Sequence, residues 1–310
     1  MNSTLNMESA GQAMVVGYAH RPVTKPPNWH GLVTLDVLFN NLSTGLFLVA
    51  ALAELVAPTS FAGLARIAFP IALLWLIADL VCLVLDLGDP FRFHHMLRVW
   101  KPSSPMSLGT WSITAFAAPL TALAAMSIFR VGEGHEWIRR IVLIVGLVPA
   151  LGTAVYKGVL FSTTAQPGWG NARWLGGYLS SSALTLGAVQ VLVLARAAGH
   201  PGVAEALRRA SMVLLVVNLI ALCLLAADLR APLSRAHAPG TLAAIGAVAL
   251  LAGTLVPLWL LAVGAPLQLA SALLFMLLGA FVVRYEVVQL PHLIMTAATH
   301  QGSASRAPVA

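Results

Sequence analysis

Long apolar runs separated by short polar connections dominate the chain. Eight such runs lie at about 33–57, 64–87, 107–129, 138–160, 174–196, 208–229, 239–263 and 266–289. A helix needs about 20 apolar residues to cross the hydrocarbon core of a bilayer, and each run is long enough. The last two runs belong to one stretch, 236 to 283, that contains no Asp, Glu, Lys or Arg. It is too long for one crossing, and Gly264-Ala265-Pro266 breaks it at a tight hairpin. Alternating β-barrel patterning is absent, and lipid offers no partners to an open sheet edge, so helices are the expected solution. The pattern predicts an all-α polytopic membrane protein of eight transmembrane helices. Abundant Gly, Ala, Ser and Thr within the runs favour close helix packing.

Composition agrees: the 310 residues are 59% hydrophobic and 9% charged, against about 25% charged in soluble domains. The net charge of +7 orients loops in such a protein and does not point to nucleic acid. Cys82 and Cys223 both fall in apolar runs and are not spaced like a ligand set, so no disulfide framework, zinc site or iron–sulfur site is expected. Any metal cluster belongs on a partner. The N-terminal tail has no apolar segment behind a basic one, so no cleavable signal peptide is expected and the first span does the targeting. Eight crossings put both termini on one side, with the longer loops at about 88–106, 158–173 and 230–238. Lys and Arg number eleven on this loop-rich side and seven on the other. The seven flank very short connections, including Arg139-Arg140 and Arg208-Arg209, where positive-inside bias is read best. The loop-rich side, with both termini, is therefore expected to face outward.

Ionisable groups at membrane depth are expensive and mark functional sites by default. Asp36, Glu54, Asp79, Asp86 and Asp228 qualify, with Arg284 and Glu286 near the end of the last span. Asp36, Asn40, Ser43, Thr44 and Phe47 share one helical face, a polar stripe entering from the loop-rich side. Asp79 and Asp86, seven apart, share another face, and Tyr156-Lys157 ends the fourth run on the same side. Asn41, Ser43 and Thr44 read as interhelical cross-links of about 0.6 kcal/mol each. Glu54 is expected to pair with Arg66, and Arg284 and Glu286 to be snorkelling ends. The nine histidines lie in tails, loops or span ends. None is available to hold a haem within the bundle, which argues against a membrane cytochrome b.

The run DLGDPFRF from Asp86 to Phe93, then His95-Met96-Leu97, then SPMSLGTW from Ser104 to Trp111, resembles the DLGRP…RF…ML…SPMSxGxW signature of the NrfD/PsrC family. These are the integral membrane subunits of polysulfide-reductase-like complexes. Asp36 to Gly45 resembles that family's polar first helix. Tyr156-Lys157-Gly158 followed by Gln166-Pro167-Gly168-Trp169 is similar to its Y-T/S-G…P-W segment. The resemblance covers roughly residues 29–170, with Arg284 as a further match in the last span. Asp89 departs from it, standing where the family usually has Arg, and Arg92 is the candidate replacement cation.

The resemblance implies two four-helix bundles, at 33–160 and 174–289, joined by a loop at 161–173 and flanked by tails 1–32 and 290–310. It implies no haem or metal of the chain's own. Menaquinone or ubiquinone would be bound in the first bundle by Asn40, Asp36, Asp86 and Tyr156. Partners would be a ferredoxin-like iron–sulfur subunit and a catalytic, often molybdopterin, subunit in a bacterial inner-membrane complex. The chemistry of the residues agrees: a quinone needs donors to its oxygens and a route for two protons, which Tyr or Asn and a carboxylate supply. Asp36, Asp79, Asp86, Glu54 and Asp228 are the candidate proton-transfer groups. Arg92, His94, His95, Arg98 and Lys101 are the candidate partner interface, with His94 or His95 also placed to relay protons. A proton or small-solute transporter is the alternative, drawn from carboxylates spread over several spans. A purely structural anchor is a third reading.

Overall fold

The structure is a computed structural model and describes residues 29, 31–131 and 135–304. The N-terminal tail, with its expected lack of a signal peptide, falls almost entirely outside them. The spans are α1 (Gly31–Val56), α2 (Pro58–Leu85), α3 (Pro105–Phe129), α4 (Glu136–Ser162), α5 (Leu175–Ala197) and α6 (Pro201–Ala236). The seventh is built from α7 (Pro239–Leu250), a π-helical turn (Leu251–Leu255) and α8 (Val256–Val263). The eighth lies in α9 (Pro266–Ala304). Eight helical segments among the described residues are long and apolar enough to cross a membrane. The fold is all-α and polytopic, as the apolar runs require.

Several boundaries differ from the hydropathy reading. Helix α2 begins at Pro58, so only Ala57 separates it from α1. Proline at the first helical position loses no hydrogen bond, since that N–H has no intrahelical partner. Helix α6 starts at Pro201 and runs to Ala236, so the expected loop at 230–238 is mostly helix. Helix α9 continues to Ala304, through much of the expected tail at 290–310. Hydropathy marks where a helix is apolar, whereas these ends carry polar residues such as Arg230, Ser234, His292 and Thr296, through which the helix continues. The loop after α2 also folds, as a 3-10 helix at Pro90–Leu97.

Helix α1 is the most enclosed, touching α2, α4, α5 and α9. The other early contacts are α2 with α3, α3 with α4 and α4 with α5. The later helices pack as α5 on α6 and α9, with α8 and the π turn on α9. The α1–α5 crossing is close because both helices present glycine. A Cβ on Gly45 would collide with the Ala183 carbonyl, and one on Gly187 with the Gly45 backbone. Gln190 of α5 ties the crossing together, accepting from Trp75 Nε1 at 3.0 Å and donating to the Leu42 carbonyl at 3.3 Å. In the middle of the first four helices Phe47 packs on Phe69 and Phe116 at centroid distances of 5.7 and 5.1 Å, with Leu120 and Leu123 fully buried beside them.

Candidate functional site

At the loop-rich end, α1 to α4 line a cavity of about 90 Å³. Helical periodicity decides what faces it. Val33, Asp36 and Val37 come from α1, Met106, Thr110 and Ile113 from α3, and Tyr156, Lys157, Leu160 and Phe161 from α4. Leu83, Asp86 and Leu87 close one wall, Met96 of the 3-10 helix covers it, and Trp29 stands at the side. Trp29 stacks on Trp169 at 5.3 Å and meets Phe161 edge-on at 5.6 Å. Trp169, only 1% exposed, donates from Nε1 to the Val287 carbonyl at 2.6 Å, which pins the loop after α4 to α9.

The SPMS segment sets the start of α3. Ser104 caps the helix, its Oγ accepting from Ser107 N at 3.4 Å, and Pro105 occupies the first helical position. Ser107 Oγ accepts from Lys101 N at 3.0 Å and donates to the Val99 carbonyl at 3.1 Å, so one hydroxyl holds the preceding loop. Gly109 then allows the Tyr156 ring to lie directly on α3, where any Cβ would overlap it. The Tyr156 hydroxyl makes no hydrogen bond to a described residue and belongs to a residue lining the cavity.

Behind the cavity wall lies a cluster of charges. Lys157, 3% exposed, places Nζ 2.7 Å from Asp36 Oδ1, 3.1 Å from the Asp36 carbonyl oxygen and 2.7 Å from Asp79 Oδ1. Asp79 is wholly buried, and its Oδ2 accepts from Asn40 Nδ2 at 3.0 Å. Asp36 lies five residues into α1 and Lys157 five residues before the end of α4, or about 8 Å of helix from the loop-rich face in each case. Two carboxylates and one ammonium leave the ionised cluster one negative charge in excess. An apolar surrounding makes such an excess costly, and taking up a proton relieves it.

The expected site residues distribute unevenly. Asp36, Asp86 and Tyr156 meet at the cavity, with Lys157 added, a residue the sequence reading had only placed at a span end. Asn40 does not line the cavity and instead holds Asp79. Glu54 sits at the opposite end of α1, where Arg139 grips it through Nε at 2.5 Å and Nη2 at 2.9 Å. The expected pairing of Glu54 with Arg66 left out this arginine of α4. Asp228 accepts from Arg173 Nη2 at 2.9 Å and Trp174 N at 3.1 Å, fastening the loop before α5.

Arg284 does not snorkel. It is 2% exposed and donates to Asn41 Oδ1 at 2.5 Å, Ser182 Oγ at 3.1 Å and the Ala280 carbonyl at 2.9 Å. Glu286 meets His237 at 2.8 Å. Ser43 makes the expected cross-link, donating to the Ala72 carbonyl of α2 at 2.8 Å, whereas Thr44 does not cross between helices and donates to the Asn40 carbonyl one turn back in α1 at 2.7 Å. Arg92, His94, His95, Arg98 and Lys101 are all exposed beside the cavity, and Arg92 pairs with Asp89 at 3.0 Å. The cation expected beside Asp86 thus answers the chain's own Asp89.

A family model described as polysulfide reductase matches residues 16–294, spanning all eight membrane helices. Comparison with curated proteins gives no match.

Proposed function

The chain belongs to the polysulfide reductase family of membrane proteins, and from that premise we propose that it exchanges electrons between the membrane quinone pool and an iron–sulfur partner, with proton transfer at the quinone. As a member it is a membrane anchor of a respiratory oxidoreductase, and such subunits work with other respiratory subunits. The observation that carries the finer reading is the cavity at the loop-rich end. It combines apolar and aromatic walls with an unengaged Tyr156 hydroxyl and the carboxylates of Asp36 and Asp86. Apolar walls accept a quinone ring and the start of its isoprenoid tail, and a few convergent polar groups orient it.

In this reading the quinone supplies the two-electron chemistry, and the chain binds it, excludes water and handles protons. The Tyr156 hydroxyl donates to one ring oxygen. Asp86, nearer the surface, exchanges protons with the loop-rich face. The Asp36–Lys157–Asp79 cluster holds or releases one proton as charge develops next to it, a role suited to carboxylates kept in a low-dielectric site. Menaquinone and ubiquinone both fit this chemistry. The exposed segment from Arg92 to Lys101, with Phe93 and Trp100 among its basic residues, is the proposed seat of the iron–sulfur subunit, which in turn serves a catalytic subunit. The bias of the short connections supports a reading in which this face lies on the outside of a bacterial inner membrane.

Tyr156→Phe and Asp86→Asn test the reading in the assembled complex. Each is expected to lower quinol-linked electron transfer at least about tenfold, the worth of one well-made ligand hydrogen bond. Subunit assembly should be unchanged, and normal turnover in both variants rejects the site. A transporter reading draws on a second cleft of about 260 Å³ at the opposite end of the same helices, lined by Glu54, Arg66, Glu136, Arg139 and Arg140. The Phe47–Phe69–Phe116 packing lies between the two ends. Liposomes holding the chain alone are expected to show no proton or solute flux, and flux without a redox partner favours transport.

A further inference from the structure

Arg284 poses a problem of charge. Its guanidinium is buried at membrane depth, and its hydrogen-bond partners are the neutral groups of Asn41, Ser182 and Ala280, with the Tyr178 ring 5.6 Å away. A buried cation surrounded by neutral groups is costly unless an anion answers it from further away. The Asp36–Lys157–Asp79 cluster has the opposite imbalance. Among the described residues the charged groups classed as buried are Asp36, Glu54 and Asp79 against Arg139, Lys157 and Arg284. Glu54 and Arg139 cancel as a bidentate pair. What is left is a cluster one negative charge in excess and a lone arginine. A single helix separates them, and its consecutive residues Asn40 and Asn41 bond to Asp79 and to Arg284 respectively.

We infer that Arg284 is the fixed countercharge of the Asp36–Lys157–Asp79 cluster, acting across α1 to set the pH at which the cluster takes up its proton. The inference rests on the reading of that cluster as the proton store of the quinone cavity. Arg284 is in this sense a positioning residue for charge and touches no substrate. The other titratable groups near the cluster are Cys82 of α2, Asp86 directly after α2 and Tyr156 of α4, while α3 contributes Met106, Thr110 and Ile113 to the cavity. Around Arg284, α5 contributes Tyr178 and Ser182 and α1 contributes Asn41. Glu286 of α9, two residues on, is engaged by His237. A helix with its side chains is about 10–12 Å across, and over that distance at an effective dielectric of about 20 a unit charge moves a carboxyl group's midpoint by about one pH unit.

The sign follows directly. Removing a nearby cation makes a carboxylate easier to protonate, so the midpoint rises. Infrared titration of the full chain in lipid nanodiscs reads this as the carbonyl stretch of a protonated carboxylic acid, assigned to the cluster by its loss in Asp36→Asn or Asp79→Asn. Arg284→Gln is expected to raise the midpoint by about one pH unit, and Arg284→Lys to leave it near the wild-type value. Asn41→Asp, which neutralises Arg284 locally without deleting it, is expected to raise it as Arg284→Gln does and serves if the Gln variant fails to fold. An unchanged midpoint in Arg284→Gln and Asn41→Asp overturns the inference. So does a wild-type midpoint that falls when chloride is withdrawn, which identifies a bound anion as the arginine's partner. The titration uses no quinone, so its failure is separable from failure of quinone-analogue binding at the cavity.

Discussion

Lys157 has three donors and three oxygens within reach, from Asp36 twice and Asp79 once. It stands where the family segment quoted above has Thr or Ser, so in this chain an ammonium occupies the innermost wall of the cavity. Breaking a buried ion pair by removing one partner typically costs about 3–5 kcal/mol, because the remaining charges stay buried. Lys157→Met leaves two carboxylates facing one another and is expected to lower stability by about that amount in detergent unfolding. Adding Asp79→Asn to that variant removes the second charge and should recover part of the loss. If the single and double variants are equally unstable, packing and not charge explains the defect. Trp169 makes a comparable contribution through apolar contact: Trp169→Ala is expected to cost about 3–5 kcal/mol, with the loop after α4 becoming protease-sensitive as its anchor on Val287 is lost.

Helix α3 shows how one element shapes the cavity from its first two turns. The Ser104 cap and the Ser107 hydroxyl hold the loop, and Gly109 makes room for Tyr156. These devices have different consequences. Ser104→Ala removes one capping bond and should lower stability by about 1 kcal/mol while leaving quinone-analogue affinity near wild type. Gly109→Val puts a branched side chain where the Tyr156 ring lies. It is expected to reduce analogue affinity at least about tenfold, the consequence of displacing one oriented donor, with helical content preserved by circular dichroism. Wild-type affinity in this variant would show that the Tyr156 ring can move without cost. The SPMSxGxW pattern thus resolves into a cap, a loop staple and a packing gap.

Across the whole molecule, two polar ends sit on one apolar body. The loop-rich face has the cavity, the exposed basic and aromatic segment and the loop pinned by Trp169. The opposite face has short connections and the Glu54–Arg139 pair. Cysteine labelling in right-side-out vesicles tests this arrangement once Cys82 and Cys223 are replaced. Val99→Cys and Trp174→Cys, both at exposed sites, are expected to react with an impermeant reagent from outside, and Val131→Cys only after permeabilisation. The inverse pattern would turn the proposed orientation over and leave the fold unchanged.

Apolar run length alone determined eight membrane helices and the hairpin at Gly264, because hydrocarbon tolerates little but a continuous helix of sufficient length. The DLGDPFRF and SPMSLGTW segments pointed to the cavity end through their resemblance to the family signature. Three-dimensional packing decided which of those polar groups work together. Asp36 and Asp86 are legible as expensive charges, but pairing Lys157 with Asp36 and Asp79 depends on rotations and crossings of α1, α2 and α4 that no spacing within one helix encodes. Arg284 was misread as a snorkelling end because α9 continues far beyond the apolar run that hydropathy detects, which places the arginine well inside the helix and not at its tip. Asn40 and Asn41 look equivalent in sequence, yet a turn of 100° per residue sends one toward the acidic cluster and the other toward the buried arginine.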